Sequence, residues 1–149
     1  MTITTQHIGA AGELLVQYKL LKFGIDSAAM TTDSGVDLVA YSPKSNRSFT
    51  IQVKTKEQPS QGGGKGKLSL GWDLRDSSPA ELVAVTDLST DSVWLFTHAE
   101  YERYAQQHSE NGILKLYMYV DESVNTKKEM ALISQFEQFR LENRVITFF

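Results

Sequence analysis

Cysteine is absent from the 149 residues, which excludes disulfides and any metal held by thiolates. No apolar run approaches the roughly 20 residues needed to cross a bilayer. The opening Met1-Thr-Ile-Thr-Thr-Gln-His7 has neither a basic region nor a hydrophobic segment, so no secretory leader is expected and a cytoplasmic location is. Histidine is scarce: His7, His98 and His108 are not spaced as a metal pair or as a base beside a nucleophile, and they read as surface or packing residues. What is present, 41% hydrophobic and 22% charged residues, is the make-up of a soluble globular chain. At this length one domain over 1–149 can build a core without staples.

A large excess of positive charge is also missing. The net charge of −3 argues against a broad, non-specific nucleic-acid binder. The charge is unevenly spread, however. Residues 44–72 carry Lys44, Arg47, Lys54, Lys56, Lys65 and Lys67 against Glu57 alone, while residues 73–149 are strongly acidic. A local basic patch on an acidic body suits a polyanion gripped at one place. The plainer alternative is a solvated loop kept soluble by its lysines.

Residues 8–23 have the spacing of an amphipathic helix, with Leu14, Leu15, Tyr18 and Leu21 as its stripe and Val16, Leu20 and Phe23 widening it. Gly24 is placed to end it, and Gly9-Ala-Ala-Gly12 is small enough to lie close on a sheet. Ile25–Met30 reads as a short strand and Thr31–Gly35 as a turn. Asp37–Tyr41 and Phe49–Lys56, two β-branched runs joined by a Pro/Ser/Asn turn, predict an antiparallel hairpin. Alternation puts Thr50, Gln52, Lys54 and Lys56 on one face of the second strand, with Ile51 and Val53 on the other. An Asp, a Gln and a Lys thus converge at one hairpin end, where a core strand has no use for them.

The glycine-rich Glu57–Lys67 stretch cannot hold a helix or a strand interior, and it lacks the pattern and setting of a phosphate-binding P-loop. It reads either as a flap that brings Lys65 and Lys67 to phosphates or as a disordered hairpin tip. Leu68–Trp72, Leu82–Thr86, Val93–Thr97 and Leu116–Val120 are expected strands. Thr97 and Glu100 form a capping-box pattern for a helix through about His108. A final helix is expected over Lys127–Arg140, with Met130, Ile133, Phe136 and Phe139 on one face. Phe148 and Phe149 are too apolar to fray in water, so they are expected to dock on the body or on a second subunit.

Glu13 in Gly12-Glu13-Leu, Asp37 in Gly35-Val-Asp37-Leu, and Gln52-Val-Lys54 resemble, in order and spacing, the PD-(D/E)XK nuclease superfamily in its Gln-x-Lys variant. The segment lengths look like those of archaeal Holliday-junction resolvases and Mrr-type restriction enzymes. The resemblance covers residues 8–56 well and the remainder in outline. It implies a restriction-endonuclease-like α/β fold, a mixed β-sheet flanked by helices, with an α-β-β-β-α-β core, extra strands and a C-terminal helix. The poor helix over Asp73–Ala80, where the second core helix belongs, departs from that pattern.

The resemblance further implies a metal-dependent endonuclease that leaves a 5′-phosphate and a 3′-hydroxyl. Asp37, Gln52, Glu13 and the Val53 carbonyl would hold Mg2+ or Mn2+, Lys54 would orient or deprotonate the attacking water, and Lys56, Lys65 and Lys67 would contact the nucleic acid. DNA, as junction, flap or duplex, is the expected partner, and a homodimer the expected assembly. Taken alone, Glu13 reads as a helix-dipole residue; with Asp37 and Lys54 downstream it reads as part of the site. The competing expectations are a hairpin end facing solvent with a plain Lys54–Asp37 ion pair, a non-catalytic nucleic-acid-binding domain of the same fold, and a protein-interaction subunit.

Overall fold

The computed structural model describes residues 2–62 and 66–149, so Lys65 lies outside the described residues. Helix α1 spans Thr5–Leu21, starting three residues before the expected position. Its cap explains the earlier start. The Thr4 hydroxyl accepts the His7 N–H at 3.3 Å while His7 Nδ1 accepts the Thr4 N–H at 3.0 Å, so a histidine does the work usually given to Glu or Gln. Gly24 ends the helix as expected, with a φ of +77° open to glycine. The buried face differs from the expected stripe. It is Gly12, Val16 and Leu20, whereas Leu14, Tyr18 and Leu21 are each more than half exposed. Apolar side chains occupy so much of the helix circumference that its pattern does not single out one face.

Strands β1 (Asp26–Ala29), β2 (Leu38–Tyr41) and β3 (Ser48–Lys56) form an antiparallel meander. The predicted hairpin is there, with Leu38 opposite Ile51 and Tyr41 opposite Ser48. Its turn is locked by Asn46, at a φ of 62°, whose side-chain oxygen accepts the Tyr41 hydroxyl at 2.6 Å. The chain then departs from the expected core order. In place of a second core helix it makes β4 (Ser60–Gln61) and β5 (Leu68–Arg75), and β5 belongs to another sheet. The following strand, β6 (Leu82–Asp87), returns to lie parallel to β3, with Ile51 opposite Leu82, and β7 (Ser92–Thr97) pairs antiparallel beyond it. The central mixed sheet therefore runs β1-β2-β3-β6-β7.

Thr97 and Glu100 cap helix α2 (His98–Tyr104) as expected, but it stops short of His108. Residues Gln107–His108 instead form β8, which pairs with β9 (Ile113–Tyr119) and completes a second sheet ordered β4-β5-β9-β8. The helix expected over Lys127–Arg140 is absent. Tyr119 donates its N–H to Ala131 O at 2.7 Å, and Gln135 Oε1 accepts the N–H groups of both Ala131 and Leu132. Those bonds hold the chain extended there. A 3-10 turn at Ile133–Phe139 and helix α3 (Leu141–Phe148) follow. Phe148 and Phe149 meet Phe49 of β3 edge-on at 5.5 and 5.3 Å, so the body covers the apolar chain end and no second subunit is needed for that.

Two cores result. One face of the central sheet packs on α1 and α3 through Val16, Leu20, Leu38, Ile51, Leu95 and Val145. The other face packs on the second sheet through Trp72, Leu116, Val85, Trp94, Phe96 and Phe139. The second contact reaches β6 and β7 and takes in no residue of β2 or β3. Among the described residues no helix is long and apolar enough to cross a membrane.

Candidate active site

Asp37 sits one residue ahead of β2, at the open end of the hairpin. Its N–H donates to Ile51 O and its carbonyl accepts the Met30 N–H, both at 2.9 Å. Its Oδ2 accepts the Val53 N–H at 2.8 Å, which fixes the carboxylate against β3 and leaves Oδ1 available. In an antiparallel ladder a residue's N–H and C=O point to the same side, so the Val53 carbonyl opens into the gap that holds Asp37. The turn before Asp37 needs its glycine. Gly35 has a φ of +94°, and a Cβ there would fall 2.7 Å from Pro79 Cδ.

Glu13 reaches the same region from α1. Because the helix starts at Thr5, Glu13 lies beyond the first turn, where a helix-dipole role has faded. Its neighbour Gly12 lies against β3 so closely that a Cβ would fall 1.8 Å from Thr55 Oγ1. The small-residue approach predicted for this end of the helix is thus made by Gly12, while Gly9 faces open space. Partial burial raises the Glu13 carboxyl above its usual range, and the Asp37 and Asp33 carboxylates push it further. Three acids therefore share one field. Among the described residues, however, no three His, Asp or Glu side chains converge closely enough to hold a metal by themselves.

Gln52 and Lys54 face away from α1 into a cleft of about 400 Å³ that Asp33, Gly35, Arg75, Ser78 and Pro79 also line. The Ser78 hydroxyl donates to Gln52 Oε1, which aims the amide oxygen and leaves it a second lone pair. Lys54 makes no ion pair among the described residues, so the plain Lys54–Asp37 pair does not form. Two residues further on, Lys56 lines a neighbouring cleft together with Lys67. The oxygens of Asp37, Val53, Gln52 and Glu13 are hard donors of the kind that suit Mg2+ or Mn2+ with water completing the shell.

Arg75 and Ser78 went unremarked in the sequence because only the unexpected course of β5 brings them here. Asp33 reads first as a turn residue in Asp-Ser-Gly, and nothing local sets it apart as a wall of the cleft.

No family model matches the sequence, and no curated protein matches it significantly. In fold the chain is similar to the solved structure of a bacterial homing endonuclease, with a TM-score of 0.63 over 97% of this chain and 92% of that one, at 15% identity. The shared fold is mixed α/β, a mixed sheet flanked by helices.

Proposed function

We propose that the chain is a metal-dependent endonuclease of the PD-(D/E)XK type, which hydrolyses DNA phosphodiester bonds in repair, recombination or defence. One observation carries this reading: Asp37, tied through Oδ2 to the Val53 N–H, stands beside a cleft into which Gln52 and Lys54 project, Lys54 with no ion pair among the described residues. The fold shared with a homing endonuclease supports a DNA substrate.

Asp37, the Val53 carbonyl, Gln52 and Glu13 would hold the metal, which would supply Lewis acidity and a lowered pKa for water. Lys54 orients the attacking water or takes its proton, and the same charge offsets that of the phosphate. Arg75, which lines the same cleft, would hold a phosphate oxygen with its planar fork.

The second reading is a DNA-binding domain of the same fold that does not cut. Incubating wild type, Asp37→Ala and Lys54→Ala with a supercoiled plasmid and a four-way junction, in Mg2+, Mn2+ or EDTA, separates the two. Metal-dependent cutting by the wild type alone is expected. DNA binding unchanged by EDTA, with no cutting under any condition, establishes the second reading.

A further inference from the structure

On the second sheet, the side facing away from the aromatic core forms a cleft of about 430 Å³ that begins where β3 ends. Lys56 enters it from β3, Lys67 from the approach to β5, and Lys115, Tyr117 and Tyr119 from β9, with Gln107 at its rim on β8. Lys54 and Lys56 are two residues apart on one face of β3, about 6.6 Å along the strand. A phosphate chain leaving the candidate active site therefore meets this cleft next.

Tyr117 and Tyr119 stand side by side on β9, with ring centroids 5.4 Å apart and planes at 68°. Gly71 faces Tyr117 across the ladder, so no side chain from β5 rises beside that ring. The outer edge of β9 is held fast. Gln106 both accepts the Tyr117 N–H and donates to Tyr117 O, and Ala131 O takes the Tyr119 N–H. Among the described residues neither phenol makes a hydrogen bond, and none of the three lysines makes an ion pair. Two acids stand near: Asp73 lies across the ladder from Lys115, and Asp121 lies close to Lys67. They offset part of the positive charge, which leaves the aromatic pair as the distinguishing feature.

We infer that this cleft takes unpaired nucleotides flanking the scissile bond and stacks a base on Tyr117 and Tyr119, which makes the preferred substrate a branched or flapped DNA. This rests on the nuclease reading for its substrate. A lysine-lined groove with aromatic rings is the arrangement that grips single strands, since every base has a face to stack. Continuous duplex fits it poorly, because a sheet that reads the major groove must protrude into it. This face is hollow.

The test measures binding in EDTA to a blunt duplex, a duplex with a single-stranded flap and a single strand, alongside plasmid nicking in Mg2+. Wild type is expected to prefer the flap and the single strand over the duplex by about tenfold, the worth of one stacked base. Tyr117→Ala and Tyr119→Ala should lose that preference, while Tyr117→Phe, which keeps the ring and the fold, should retain it. Lys115→Gln should shallow the salt dependence by about 0.7 in slope, one phosphate contact to a single strand. Equal affinity of wild type for flap and duplex, or a preference that survives both alanine variants, overturns the inference. Nicking without the preference leaves the nuclease reading standing and removes the platform. Preference without nicking keeps the platform and removes the nuclease.

Discussion

The two faces of the central sheet are covered to different extents. On one, α1 and α3 lie over β2, β3, β6 and β7 alike, and the contact is mainly aliphatic. On the other, the second sheet packs on β6 and β7 with large aromatic residues, and its strand β5 also runs close to β3 but draws no residue of β3 into that core. As a result β6 and β7 are buried on both sides almost throughout, whereas β3 is buried on one side and carries Thr50, Gln52, Lys54 and Lys56 on the other. The full cover holds α1 at a fixed height over β3, and the partial cover leaves room for a substrate. A site arises where one cover ends and the other does not.

The most disruptive way to break this division of labour is at the uncovered half. Lys54→Ala is expected to lower cleavage by about 10²–10⁴-fold, the usual worth of a general acid or base, with little change in melting temperature. Phe96→Ala tests the partial cover. Phe96 is fully buried and stacks on Phe139 at 4.7 Å, so its loss should cost about 3–5 kcal/mol in urea unfolding. Gly12→Ala tests the full cover. The added Cβ must push α1 away from Thr55, which should cost about 1–3 kcal/mol and reduce cleavage by moving Glu13.

The smallest effect is one of pH. Because the Glu13 carboxyl titrates above its unfolded value, the folded chain holds that proton more firmly than the unfolded one. The resulting stability is complete below the unfolded pKa and is lost as pH rises through the folded one. Glu13→Gln should therefore be more stable than wild type at neutral pH, and that advantage should vanish under acid. A gap between the two unfolding curves that stays constant with pH would show that Glu13 is not coupled to Asp37 and Asp33.

Residues 24–56 were legible in the sequence because their signals are local: a glycine cap, a Gly-x-Asp turn and a two-residue alternation. Those signals place Asp37, Gln52, Val53 and Lys54 at one hairpin end. The buried side of α1 was not legible, because aliphatic residues nearly surround it and only contact with the sheet selects Val16 and Leu20 over Leu14 and Tyr18. Nor was anything that depends on β5. The strand itself was expected over Leu68–Trp72, but not its place in a second sheet, and Arg75, Ser78 and the Tyr117–Tyr119 pair reach their places through pairings distant in sequence. The last helix failed for a related reason, since side-chain bonds from Gln135 hold extended a segment whose spacing alone favours helix.

The parallel pairing of β3 with β6 also bears on how the chain assembles. A hairpin such as β2–β3 closes a short loop, whereas β6 reaches β3 only after residues 57–81 have been made. On a ribosome adding about 5–20 residues per second, β3 spends an interval with one row of backbone N–H and C=O groups unpaired. An open strand edge of that kind invites another chain to add on, and lysine side chains are a recognised deterrent. Lys54 and Lys56 sit on that strand, so the charges proposed to serve the phosphate in the finished molecule are also of the kind that deters such pairing while the edge is open.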